Sequence, residues 1–232
     1  MDKIIAYGPF LLQGIWVTIA LSLCSVIVAV LLGLANAAAS HSKIRIARRT
    51  ASFYTSVVRG IPDLVFMLLL YNGGQMALNY LGGLTGLWSY VELNRFVAGV
   101  IAIGFVFGAY MSETFRGAYM AIPVGMIEAG ISFGMTKRIL FRRIVWPHLV
   151  RLALPGFTNN WLTLMKSTAL VSVIGLQDIV YNGFAAGRAT REPFTFMIVA
   201  LVVYLVLTII SDIGLRMLER RNTRGVIRGI WR

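Results

Sequence analysis

The residues whose types and spacing could do chemistry are a few charges set inside long apolar runs. Arg59 and Asp63 stand four apart, Glu113 and Arg116 three apart, and Lys166 is followed directly by Ser167 and Thr168. A charge within lipid is costly unless it meets an opposite charge or a ligand, so each group is a functional candidate by default. Two uses are open. The charges can neutralise one another, with Lys166 finding a carboxylate on a neighbouring helix, or they can meet a polar cargo crossing the membrane. The interfacial position of Glu113 and Arg116 favours neutralisation for that pair. No set combines a nucleophile, a base and an orienting group, and no GxxxxGK[ST] loop is present to cradle phosphates. Enzymatic catalysis and nucleotide binding are therefore not expected of this chain. The single Cys24 allows no internal disulfide, and His41 and His148 lie far apart at the edges of apolar runs, so no metal or haem site is expected.

Those charges need elements to position them. The chain has 232 residues, of which 58% are hydrophobic and 13% charged. Water-soluble domains carry roughly half apolar and a quarter charged residues. A helix that spans the hydrocarbon core needs about 20 apolar residues. Runs at about 10–39, 53–81, 96–116, 152–176 and 194–217 meet that length, so the expected fold is an all-α polytopic membrane protein with about five transmembrane helices. The second run contains Gly60 and Pro62, which favour a local break. If the helix survives them, Arg59 and Asp63 share one face.

The net charge of +13 is arranged by topology, not as a nucleic-acid surface. The connecting segments alternate between basic and neutral. Lys43, Arg45, Arg48 and Arg49 crowd the first, residues 82–95 are nearly neutral, residues 128–151 are strongly basic, and residues 177–193 balance. The tail after the last run carries Arg220, Arg221, Arg224, Arg228 and Arg232. By the lysine and arginine bias the basic segments lie inside, which puts the N-terminus outside and the C-terminus inside. The expected organisation is one membrane domain at 10–217 and a basic tail at 218–232.

The basic segment from Glu128 to Pro147 reads as helix, turn, helix. Pro123 suits a first turn, and Glu128 follows in an early turn where a carboxylate complements the helix dipole. Gly134 breaks the first helix, Thr136 is placed to cap the second, and Pro147 is expected to end it. Leu140, Ile144 and Pro147, four and three apart, share one side. Charge alone is satisfied by a loop held inside. Spacing allows more: a Glu128-Ala129 pair, then Gly134, then nine residues, then Ile144 and Pro147.

That pattern resembles the EAA loop of type I ABC importer permeases. Gly130 stands where that family usually has alanine, and Trp146 where it usually has leucine. RGIPDLV (residues 59–65), GAYMSETFRGA (108–118) and NNWLTLMKSTALVSVIGLQD (159–178) make the chain similar to the polar-amino-acid branch of the family. The resemblance implies a permease subunit of the bacterial inner membrane that passes polar, and particularly basic, amino acids: histidine, arginine, lysine or ornithine. Glutamine or glutamate is the alternative cargo, and a membrane anchor of a redox complex a more distant alternative. It implies a homologous M-type permease subunit, a dimer of ABC ATPases that use ATP and Mg, and a periplasmic amino-acid-binding protein as partners. It makes Glu128, Ala129, Gly134, Ile144 and Pro147 the ATPase-coupling positions. For a basic amino acid, Asp63 would favour the cationic side chain, and Arg59 would meet the carboxylate or hold Asp63 in place.

Overall fold

The computed structural model describes residues 2–223, and every regular element among them is helical. In order these are α1 (Asp2–Ala6), α2 (Gly8–Ser40), α3 (Arg45–Gly60), α4 (Asp63–Leu68), α5 (Gly74–Thr85), α6 (Arg95–Met120), α7 (Val124–Ser132), α8 (Lys137–Leu140), α9 (Trp146–Ser167), α10 (Ile179–Thr190) and α11 (Pro193–Thr223). A π-helical turn at Leu69–Gly73 joins α4 to α5, and another at Phe141–Val145 joins α8 to α9. A 3-10 segment at Thr168–Ile174 extends α9.

One stripe of small residues on α2 is buried, including Gly14, Thr18, Ser25, Ala29, Gly33 and Ala37. Most of α6 packs into it. A Cβ at Gly33 would stand 2.6 Å from Met111 Cβ, and one at Gly104 would stand 2.6 Å from Val28 Cγ1. The two backbones thus approach to a distance that only glycine permits. In lipid such close packing is the main attraction between helices, because hydrocarbon tails are as apolar as leucine. The core follows from it: Leu21, Val106, Phe107, Met111, Leu164 and Val171 form one buried cluster of α2, α6, α9 and the 3-10 segment. A smaller cluster at the other end joins Leu11, Ile179, Ala186, Phe196 and Ala200.

Three helices are individually long and apolar enough to cross a membrane: α2, α6 and α11. Two bent pairs raise the number to five if each counts as one span. The expected second span at 53–81 is therefore not a straight helix. It breaks at Ile61 and Pro62, and the helices on either side meet at 108°. Ile61 is driven to an extended conformation (ψ 135°) by the proline that follows it, and Pro62 lacks the N–H that would continue the ladder. Residues 53–60 belong to α3, and the helix that follows starts at Asp63.

Two further expectations are corrected. Pro147 does not end the second helix of the basic segment, because the chain stays helical from Lys137 to Ile174. The π-helical turn just before the proline makes this tolerable, with the Trp146 N–H donating to the Phe141 carbonyl instead of the usual partner four residues back. The neutral segment expected outside is also not a loop. It forms α10, capped by the buried Asp178, whose carboxylate accepts from the Tyr181 N–H at 2.9 Å. The expected tail at 218–232 begins as the last turns of α11, and its residues 224–232 lie outside the described residues.

Candidate functional site

The segment between α6 and α9 folds as an exposed elbow. α7 ends in a Schellman arrangement around Gly134, whose φ of +73° only glycine adopts at little cost. The Gly134 N–H donates to the Ile131 carbonyl at 2.8 Å, and the Met135 N–H donates to the Gly130 carbonyl at 3.1 Å. The chain then turns back as α8. A Cβ at Gly130 would lie 2.5 Å from Leu140 Cδ1 and 2.8 Å from Ile144 Cδ1. Leu140 and Ile144 therefore do share a side, and it is the side that faces Gly130. Glycine at that position lets the two arms of the elbow close tightly.

Glu128 lies in the second turn of α7, an early turn as expected, whereas Thr136 occupies the N-cap position of α8 without a side-chain capping bond. Glu128 and Ala129 are exposed, as are Gly134 and Pro147, while Ile144 is half-buried. Around them Val124, Ile131 and Phe133 are exposed apolar groups, Phe133 at 84%. Lys137, Arg138, Arg142 and Arg143 are exposed beside them. An exposed apolar knuckle ringed by cations is a surface suited to a protein partner. Trp146 lies 6.2 Å from the Phe141 ring and lines an apolar cavity of about 350 Å³ with Leu34, Phe115 and Leu149.

The charges in the apolar runs separate into different places. Arg116 and Glu113 form an ion pair at 2.7 Å, the neutralisation expected for them. Arg59 and Asp63 form no ion pair among the described residues. The break turns them apart: Arg59 lies over the Tyr110 ring at 5.3 Å, and Asp63 opens α4 in its first turn. Lys166 is exposed near the end of α9 and finds no carboxylate among the described residues. Arg59, Glu113 and Arg116 share a polar cavity of about 410 Å³ with Arg48, Asn36 and Ser112. Asp63 and Lys166 do not line it.

Spacing alone misses the polar groups that organise this cavity. The Asn36 amide donates to Ser112 Oγ at 2.8 Å and to Thr55 Oγ1 at 3.0 Å, tying α2, α6 and α3 together. It also misses the joint of α2 with α10. There the Asn182 amide donates to the Phe10 carbonyl at 2.7 Å, and the Ile179 N–H donates to Thr18 Oγ1 at 3.3 Å. The available signal was the uncharged polar residues inside apolar runs, which carry no pattern of their own.

Eleven α-helices among the described residues, broken spans and a basic helical elbow between the third and fourth apolar runs are the frame in which the family relationship stands. The chain belongs to the family of binding-protein-dependent transport system inner membrane components, whose profile matches residues 25–224. It is 47% identical to the histidine/lysine/arginine/ornithine transport system permease protein HisQ of Escherichia coli K12, over 96% of this chain and 97% of that one. It is 38% identical to the octopine transport system permease protein OccQ of Rhizobium meliloti, over 97% and 94%. Among solved structures, an amino acid ABC transporter crystallised with histidines superposes with a TM-score of 0.81 at 31% identity, over 94% of this chain and 96% of that one. The MetNI methionine transporter in an inward-facing form shares the fold, with a TM-score of 0.74 at 20% identity over 94% and 99%. The chain is a permease of an amino acid ABC importer, not an enzyme.

Proposed function

We propose that this permease passes basic amino acids, the class that includes histidine, arginine, lysine and ornithine, across the bacterial inner membrane. The observation that carries the reading is near-half identity to a permease of that cargo class along essentially the full chain. The chain crosses the membrane five times, with its N-terminus outside and its C-terminus inside. Residues 10–217 form the membrane domain, and residues 218–232 are a basic inner tail. A homologous M-type permease subunit completes the pathway, and a periplasmic binding protein delivers the cargo. An ABC ATPase dimer seats on the elbow through Glu128, Ala129, Gly134, Ile144 and Pro147. ATP and Mg belong to that ATPase, and this chain binds neither.

The cargo path runs by the polar cavity of Arg59, Glu113 and Arg116. Arg59 makes no ion pair among the described residues, since Glu113 in the same cavity is bonded to Arg116, and its guanidinium is the group to meet the cargo carboxylate. Asp63 opens the next helix, four residues on from Arg59 and across the break, and meets the cationic side chain there, and Lys166 flanks the far half of the path. The test is uptake in proteoliposomes holding the transporter purified through a tag on this chain, with labelled arginine, lysine, histidine, glutamine and glutamate offered in turn. Uptake of the three basic amino acids with the elbow-bound ATPase present is expected. Uptake of glutamine or glutamate alone would replace the cargo class, and uptake without any ATPase would overturn the importer reading.

A further inference from the structure

α3 meets three environments along three stripes. Ala51, Thr55 and Val58 are buried against the bundle. Ile46, Phe53 and Val57, seven and four apart, are exposed apolar groups, Ile46 at 74% and Phe53 at 70%. Arg45, Arg49, Ser52 and Ser56, alternately four and three apart, form an exposed polar stripe between them. From Ser40 to Pro62 there is no acidic residue.

The helix also lies across the bundle. Ala51 and Thr55 reach the level of Ser112 on α6, through the amide of Asn36. Arg59, eight residues beyond Ala51, reaches Tyr110, only two positions from Ser112. Eight residues of α3 rise about 12 Å, whereas two residues of α6 rise about 3 Å. The 108° bend into the following helix agrees with that crossing. Arg45 and Arg49 make no hydrogen bond or ion pair among the described residues, while Arg48 turns back to the carbonyls of Ser42 and Lys43. Cations in the first turns of a helix oppose its dipole, so these two lack a counter-ion both from side chains and from the backbone.

We propose that α3 lies in the headgroup layer of the inner leaflet, with Ile46 and Phe53 in hydrocarbon and Arg45 and Arg49 on the phosphate of an anionic phospholipid. A bilayer surface supplies apolar depth and negative charge side by side, which is what adjacent stripes of these two kinds require. The proposal rests on the inner placement of the first basic segment given above.

The test uses the transporter purified through a tag on this chain, in nonionic detergent. It is incubated with equal amounts of phosphatidylglycerol and phosphatidylcholine of identical acyl chains, and retained lipid is read by native mass spectrometry. The protein should retain phosphatidylglycerol preferentially. Arg45→Gln with Arg49→Gln should reduce the preference roughly ten-fold or more. Arg45→Lys with Arg49→Lys, and Arg142→Gln with Arg143→Gln at the elbow, should keep it. No headgroup preference in the native protein, an unchanged preference in the glutamine pair, or loss from that pair of a protein subunit instead of lipid would each overturn the proposal. Thiol labelling at Ser42 reads the inner placement separately. Labelling there from outside sinks the topology whatever lipid is retained.

Discussion

Met135 donates its backbone N–H to the carbonyl of Gly130, and the bond closes only because Gly134 between them holds a positive φ. Gly134→Val puts a β-branched side chain in that conformation, at a local cost of about 1–2 kcal/mol or more. The elbow should re-form in another shape while the buried bundle, to which Gly134 adds no contact, stays intact. The variant is expected in the membrane at normal amount, with the ATPase no longer co-purifying. Normal cargo-stimulated ATP hydrolysis in that variant would show that the elbow is not the seat.

Gly130 predicts a graded result. An added Cβ meets the ends of Leu140 and Ile144 most closely, with Met135 Sδ beyond them at 3.5 Å, and these are side-chain ends that can rotate away. Gly130→Ala should therefore preserve ATPase co-purification, whereas Gly130→Phe should pry the arms apart and lose it. Equal behaviour of the two variants would deny that the arms need close contact.

Gly14 is a sharper case. A Cβ there would stand 2.8 Å from the Asp178 carbonyl oxygen and 2.9 Å from Ile179 Cα, which are backbone atoms that cannot rotate away. Gly14→Ala should lower stability by about 1–3 kcal/mol, read as a drop in the Tm of the detergent-solubilised chain. Gly117→Ala, where nothing lies within 4 Å, is the control and should not lower it. A Tm unchanged at Gly14 would mean that α2 and α10 can separate without cost.

Much of this arrangement was legible in the residues, and the exceptions share a cause. Apolar runs, the basic elbow and the turn at Gly134 are local patterns, and each stands where the residues indicate. The misplaced features depend on what happens over several turns. Pro147 looked like a stop because nothing in its neighbours announces a π-helical turn. Residues 53–60 looked like the straight start of a span because Phe53, Val57 and Val58 are apolar, although α3 stops at Gly60 and the chain turns through 108° into the next helix. Arg59 and Asp63 looked like partners because four residues separate them in a helix that does not continue. Asn36, Ser112 and Thr55 meet only through the tertiary fold, so no spacing brings them together.

The cargo path yields a prediction about charge. Arg59→Gln should raise the KM for basic amino acids several-fold with a smaller change in kcat, if the guanidinium meets the carboxylate in both ground and transition states. Asp63→Asn should weaken lysine and arginine uptake specifically. Wild-type rate and affinity for arginine, lysine and histidine in both variants would make these groups structural and move the site elsewhere.

At the other end of the molecule, Lys3 pairs with Glu192 at 2.6 Å, and the ammonium holds that carboxyl below its ordinary range. A carboxyl with a lowered folded pKa stabilises above its unfolded value and loses that contribution as the pH falls through the folded one. The tether of α1 to the corner between α10 and α11 should thus hold near neutral pH and release in acid. Because the pair is exposed, the effect is small and screened by salt. Hydrogen exchange in α1 should quicken at low pH and in high salt, and Glu192→Gln should remove both dependences.

Topology is open to direct measurement in a Cys24→Ser background. Cysteines at Ser42 and Thr136 should be shielded from an impermeant thiol reagent in intact cells, and one at the exposed Ser89 should react. Asn182, on the same outer side by charge, is fully buried and would report packing instead.

The π-helical turn before Pro147 has a mechanical result. It fuses the second arm of the elbow to the helix that ends at Ile174, giving one continuous helical rod of about 57 Å. A twist applied at Lys137 is carried along one continuous helix toward the buried Val171, past Pro155, whose missing N–H lets the ladder bend, so the rod works as a jointed crankshaft.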